Sequence, residues 1–414
     1  MSPATPEHPS EASRWTGRVL AFLDERLGLK PLRALGAEKR VPVHRLTVFY
    51  FLGGMALFLF GIQVVTGILL SLHYRPSPDQ AFESVRTIMT EINFGWLIRS
   101  AHSWSANLLI GVLFLHMLTT YVMRAYRRPR EFTWITGLLL MALLLAFGFS
   151  GYLLPWNRLA FFATRVGTAL VGKVPLVGGQ LLLLARGGKD VTGETLAQFY
   201  SFHVVILPLV TLAVLGVHLY LVQYHGMSVP PKIARDCGGE EKVPSMRFFP
   251  QFLEHDMVGW YLALGILAAL AALFPWQLGQ KANPFGAPPA GIRPEWYFLF
   301  AFETLEQLPE HLLGIGWLEG AVAAILFFSL VGLIVLLVPL LDKNAGQGQP
   351  RRVLNFLAAW AVFAFLVQTA GGLDLVRLRL WQSVLYSGLA TVVFWFVGLT
   401  GARWFALSRR GRTP

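Results

Sequence analysis

Eight separate stretches of the 414-residue chain, at about 46–72, 104–123, 132–154, 199–222, 257–278, 320–341, 353–371 and 381–402, contain no Asp, Glu, Lys or Arg. Each is close to the roughly 20 apolar residues that span a bilayer as a helix, the form that satisfies every backbone polar group internally. Composition agrees: 55% of residues are hydrophobic and 14% charged, against about 25% charged in soluble domains. A disordered chain, a disulfide-stapled secreted domain and an ordinary cytosolic enzyme are excluded. The expected fold class is an all-α polytopic membrane protein with eight transmembrane helices, the first four forming a bundle.

The net charge of +12 is first a matter of topology. With the N-terminus inside, the inside segments hold 23 Lys+Arg and the outside loops 12. Arg124, Arg127, Arg128 and Arg130 crowd one short inside loop. Both termini are therefore expected in the cytoplasm, in a bacterial inner membrane, and no nucleic-acid role is expected. The first 45 residues lack an apolar h-region, so no cleavable signal peptide is expected. Trp15, Val19, Phe22, Leu23 and Leu27 repeat at helical spacing among arginines and are expected to lie on the membrane surface. The expected organisation is a cytoplasmic segment 1–45, a bundle 46–223, a linker 224–256, a second region 257–402 and a tail 403–414. The lone Cys237 excludes an internal disulfide, an unaided iron–sulfur cluster and a C-x-x-C-H haem attachment.

Four of the ten histidines lie in or beside apolar spans: His102 and His116 on the second helix, His203 and His218 on the fourth. Intramembrane polar groups are costly and tend to be functional. Separations of fourteen and fifteen residues correspond to about 21–22 Å along a helix, with rotations of about −40° and +60°. The two helices run the same way, so His102 can face His203 on the outer side and His116 can face His218 on the inner side. Two stacked bis-histidine sites suit low-spin haem; zinc would need three or four ligands at one level. Gly53 and Gly67, and Gly137 and Gly151, repeat the fourteen-residue spacing. Glycine lets a bulky planar group approach a helix backbone, although small residues also serve plain helix packing.

The run Asn93-Phe94-Gly95-Trp96-Leu97-Ile98-Arg99, the stretch Gly151-Tyr152-Leu153-Leu154-Pro155-Trp156 and the motif Pro294-Glu295-Trp296-Tyr297 together resemble cytochrome b of the quinol-oxidising bc complexes. The first half resembles the photosynthetic (b-six) version, through Tyr74-Arg75-Pro76 and Met89-Thr90-Glu91. That version is normally split into two chains; here both parts are fused and an eighth helix follows.

The resemblance implies two non-covalent haem b groups as cofactors: His102 and His203 for the outer haem, His116 and His218 for the inner, with Gly53, Gly67, Gly137 and Gly151 beside them. Arg99 would sit near an outer-haem propionate; its other reading is a snorkelling interfacial arginine. Quinol would be oxidised at an outer site made by Pro294, Glu295, Trp296 and Tyr297, with Tyr152 nearby and Glu295 as proton acceptor. One electron would pass to a Rieske-type iron–sulfur protein and on to a c-type cytochrome. The other would cross the membrane and reduce quinone at an inner site, where Asp256 matches the family's carboxylate. A homodimer is implied as well.

This sequence departs from the family at four places. Gln223 stands where the family carries His or Arg, so His225 is the candidate inner proton donor. Arg158 replaces a usual Gln, and Leu305-Glu306-Gln307-Leu308-Pro309 replaces Leu-Arg-x-x-Pro. Phe51 occupies the position of the cysteine that ties a third haem in photosynthetic relatives, so no covalent haem is expected. Two rivals stay open: a dihaem quinone-reactive anchor of a dehydrogenase, and a histidine-dependent transporter, for which Pro208 offers a broken helix.

Overall fold

The computed structural model describes residues 39–311, 319–347 and 351–410, with side chains to residue 396. The expected surface helix around Trp15–Leu27 lies outside the described residues. Fourteen helices of seven residues or more carry the fold among the described residues. They are α1 (Phe51–Ser71), α2 (Ala81–Thr90), α3 (Gly95–Met123), α4 (Glu131–Leu153), α5 (Arg158–Val171), α6 (Gly178–Arg186) and α7 (Gly193–Ser201), then α8 (Leu207–His225), α9 (Pro231–Cys237) and α10 (Leu253–Leu273). The last four are α11 (Trp296–Gln307), α12 (Gly320–Leu341), α13 (Arg352–Gly372) and α14 (Leu380–Arg410).

Among the described residues, seven helical segments are long and apolar enough to cross a membrane: those built on α1, α3, α4, α7–α8, α10, α12 and α13. The eighth expected span is α14, whose described apolar side chains run from Leu380 to Phe396. Several spans differ from their sequence limits, two of them for a reason visible in the structure. α3 begins at Gly95, nine residues before the uncharged stretch, because Arg99 is buried within its first turns. α10 stops at Leu273, where Phe274 leaves the helical region ahead of Pro275, a residue that restricts its predecessor to extended geometry.

α1, α3, α4 and α8 form the first bundle, and α10 packs against α1 and α3. α13 joins α11 to α14, while α12 touches α4 and α11. Ala56, Leu59, Leu109, Leu144 and Ala263 make a buried apolar layer that ties four helices together midway along α3. The end carrying α2, α5, α6 and α7 is designated outer, following the charge count. It holds a second core of Leu153, Trp156, Phe161, Phe162, Leu196 and Phe199. Gly95 is required at its turn: Phe94 is left-handed (φ 60°), and the Ile88 carbonyl leaves no room for a Cβ on Gly95.

At the inner end, β1 (Arg40–Pro42) pairs antiparallel with β2 (Ser245–Arg247), with Arg40 opposite Arg247. This short ladder joins the start of the chain to the linker. Three-residue strands lie below what periodicity can detect, so sequence reasoning missed it.

Candidate functional site

The four partly buried histidines meet as His102 with His203 and His116 with His218. At the outer level, the rings of His102 and His203 lie 6.3 Å apart between centroids, with their planes 71° to one another. Two imidazoles on one metal, each bonded at about 2 Å, place their centroids about 6 Å apart. The outer pair has a separation at which both rings could hold one metal ion between them. At the inner level, His116 lies within electrostatic reach of His218.

Hydroxyl groups face three of the four imidazoles. His102 Nδ1 is 2.9 Å from Thr66 Oγ1, whose own proton goes to the Ile62 carbonyl at 2.6 Å. His218 Nδ1 is 2.9 Å from Thr136 Oγ1, which donates to Phe132 O at 2.8 Å. His203 Nδ1 is 3.1 Å from Ser150 Oγ, which donates to Phe147 O at 3.2 Å. A hydroxyl that donates to its carbonyl can accept from Nδ1–H, the tautomer that leaves the Nε2 lone pair available to a metal. His116 differs, because its Nδ1 is buried without a partner.

Each glycine of the fourteen-residue series sits against one histidine. A Cβ on Gly67 would lie 3.3 Å from His102 Cε1, on Gly53 3.4 Å from His116 Cε1, on Gly137 3.3 Å from His218 Cε1, and on Gly151 2.6 Å from His203 Cε1. The direct reason for glycine here is the imidazole, which sets the ligand's place before any larger group is considered. Sequence reasoning missed the hydroxyls, although Thr66, Thr136 and Ser150 each immediately precede one of these glycines. That repeated hydroxyl–glycine step was the available signal.

The outer loop closes over the same bundle. Trp296 Nε1 donates to Asn107 Oδ1 at 2.8 Å, pinning the start of α11 to α3. Tyr297 is buried, and its hydroxyl presses on Gly148 of α4 where a Cβ has no room. Tyr152, Glu295 and Tyr297 lie within electrostatic reach of one another. Burial pushes the Glu295 carboxyl above the usual carboxylate range. The Tyr297 phenol is pushed up by burial first, then by Glu295 and Tyr152. Arg293, just before Pro294, forms an ion pair with Asp374 in the turn after α13, which anchors the loop from its other side.

Comparison with known proteins decides the family. Residues 37–226 match the family described as Cytochrome b/b6/petB, and residues 281–396 match Cytochrome b(C-terminal)/b6/petD. A cytochrome bc complex cytochrome b subunit from Chlorobaculum thiosulfatiphilum is 43% identical over 354 residues, covering 85% of this chain and 80% of that protein. A cytochrome b6 from Heliobacterium mobile is 44% identical over 210 residues, covering 50% of this chain and 99% of that one. Among solved structures, a hyperthermophilic respiratory Complex III chain superposes with TM-score 0.76 at 30% identity, covering 91% of this chain and 97% of that one. The chain belongs to the cytochrome b family.

It is the cytochrome b of a bc/b6f-type oxidoreductase complex, a multi-pass membrane protein, and its family binds haem b. Within this cytochrome b, Arg99 is buried rather than snorkelling. Its Nη1 donates to Trp276 O at 2.5 Å and its Nη2 to Gln277 O at 3.5 Å, which staples α3 to the segment after α10. It also lies within electrostatic reach of His102.

At the inner end, Asp256 is buried in the first turn of α10 against Gly54, which has no space for a Cβ. Phe51 packs on Phe252 with ring centroids 5.0 Å apart. His225 is not joined to Asp256 by any hydrogen bond or ion pair among the described residues: its ring meets Tyr224, and its carbonyl accepts from Arg130 Nη2 at 2.9 Å. Gln223 accepts from Lys39 Nζ at 2.5 Å. Arg158 donates to Ala287 O at 2.9 Å, so this departure from the family pattern braces the loop ahead of Pro294.

Proposed function

We propose that this cytochrome b oxidises quinol at the outer site and reduces quinone at the inner one, with one haem b at each histidine pair. The observation that carries the reading is the 6.3 Å separation of the His102 and His203 rings. Haem held at the two levels supplies one-electron carriers on either side of the membrane.

The chain's own residues do the rest. The imidazoles would hold the metal, the glycines make room for the imidazoles, and the hydroxyls would orient them. Glu295 accepts a proton from the quinol hydroxyl in a pocket closed by Trp296, Tyr297 and Tyr152, and Pro294 sets the loop's entry into α11. Asp256 hands a proton to the reduced quinone, with His225 as a second donor from the end of α8. Arg99 supplies positive charge at the level of the outer pair, suited to a propionate.

The bundle 46–223 is the dihaem unit and 257–402 the region that completes the quinol site. The partners on this reading are a Rieske-type iron–sulfur protein, a c-type cytochrome and a second copy of the complex. The setting is the bacterial cytoplasmic membrane, with both termini in the cytoplasm.

Reduced-minus-oxidised spectra of the purified complex test the assignment. His102 or His203 substitution removes only the outer haem band, and His116 or His218 only the inner. Loss of the opposite band in these variants overturns the pairing.

A further inference from the structure

The two histidine helices do not have the same spacing, yet they meet partners that do. His102 and His116 are fourteen apart on α3, whereas His203 and His218 are fifteen apart. On α4, the glycines that receive the second pair, Gly151 and Gly137, are fourteen apart, and so are the hydroxyls Ser150 and Thr136. One further α-helical residue turns a side chain by about 100°, more than a quarter of a circle. A regular helix that aimed His203 at Gly151 would aim His218 well away from Gly137. Nevertheless His203 and His218 both reach their glycines and both bond their hydroxyls.

The compensation sits between α7 and α8. Residues Phe202–Ile206, including His203, form a π-helical turn in which Leu207 N–H bonds to Phe202 O. Such a turn accommodates one extra residue within an α-helix. Pro208 follows immediately. Proline has no N–H and its ring crowds the carbonyl four residues earlier, here that of Val204, so Pro208 disfavours a regular α-helical turn at this point, although α12 accommodates Pro339 within its helix. Val204, Val205 and Ile206 are exposed on the outside of the bundle, so the widened turn costs no core packing.

We propose that Pro208 is a positioning residue for the outer metal ligand: by imposing the widened turn it absorbs the fifteenth residue and brings His203 opposite His102 while His218 stays on Gly137. The inference rests on the dihaem reading. The broken helix expected of a transporter is here an aligning device instead.

Two variants of the full complex in its native membrane test it. Pro208→Ala permits a regular turn but keeps the surplus residue. Pro208→Ala with Val205 deleted permits the turn and removes the surplus. The readouts are the electron paramagnetic resonance g-maximum of the outer haem, sensitive to the angle between the two imidazole planes, and the haem difference spectrum. Pro208→Ala is expected to shift the outer g-maximum or lose most of the outer band, with the inner band kept. Deleting Val205 in that background restores both. A silent Pro208→Ala overturns the role of Pro208. A double variant no better than the single one, including one that fails to accumulate, overturns the alignment argument. Absence of any haem b from the unaltered complex defeats the dihaem reading itself, a distinct result.

Discussion

At the scale of single residues, the hydroxyl–imidazole bonds and the Glu295 carboxyl carry the sharpest expectations. Thr66→Val keeps the shape of the side chain and removes the acceptor of His102 Nδ1–H. Second-sphere losses of this kind weaken metal binding by about 10- to 100-fold. The outer haem should therefore be retained less well through purification, with the inner haem unaffected; haem per chain from pyridine haemochrome spectra checks it. The inner His116, with no such bond, gives the opposite experiment: Leu52, the residue before Gly53, is where a Thr would supply one. Glu295 is held above the usual carboxylate range by burial. A raised pKa keeps the carboxyl protonated, and unable to accept, into more neutral solution. The quinol oxidation rate should rise with pH as the group ionises. Glu295→Gln should lower the rate about 10²-fold or more, the contribution typical of general-base catalysis, and flatten that rise. A Gln variant with unchanged turnover and pH profile assigns the proton to another group.

At the scale of elements, much was legible because the bilayer imposes it. Uncharged runs of about 20 residues gave the spans, and the recurrence of His at fourteen and fifteen residues, with Gly at fourteen, gave the two levels. What stayed hidden was local geometry that no period encodes. Charge counting started the second span too late, because Arg99 is buried and bonded to carbonyls. The same counting ran the fifth span past Leu273, because aromatic residues around Pro275 are apolar without being helical. The turn before Pro208 was visible only as a proline. Glu295 was identified through its motif, but its support from Arg293–Asp374 and from Tyr297 on Gly148 joins residues distant in sequence. Phe51 belongs at this scale as well. Its ring packs on Phe252 at 5.0 Å, at the foot of α10 beside buried Asp256. Phe51 has no sulfur to tether a group, and its ring is engaged with Phe252. Denaturing electrophoresis with a haem-peroxidase stain should leave this chain blank after acid–acetone extraction; a stained band at 46.1 kDa would defeat that expectation.

At the scale of the whole molecule, the two halves are held by far more than the segment that connects them. α10 packs on α1 and α3, and the apolar layer of Leu59, Leu109 and Leu144 includes Ala263 from the second half. Beyond the Gly238-Gly239 step, of which Gly238 is exposed, Glu240 returns to Arg127 as an ion pair and β2 returns to β1. A protease site placed between Gly238 and Gly239 should therefore cut the chain without separating it. Both fragments should copurify with both haem bands, whereas fragments that part on detergent extraction would show that the linker holds the halves together. The three-residue ladder has a consequence for how such a protein is encoded. Because β1 grips the linker on the far side of the glycine step, a stop and a new start codon placed there would leave each product with its own docking surface. One open reading frame or two then becomes a choice open to the genome, with the assembled membrane protein the same in either case.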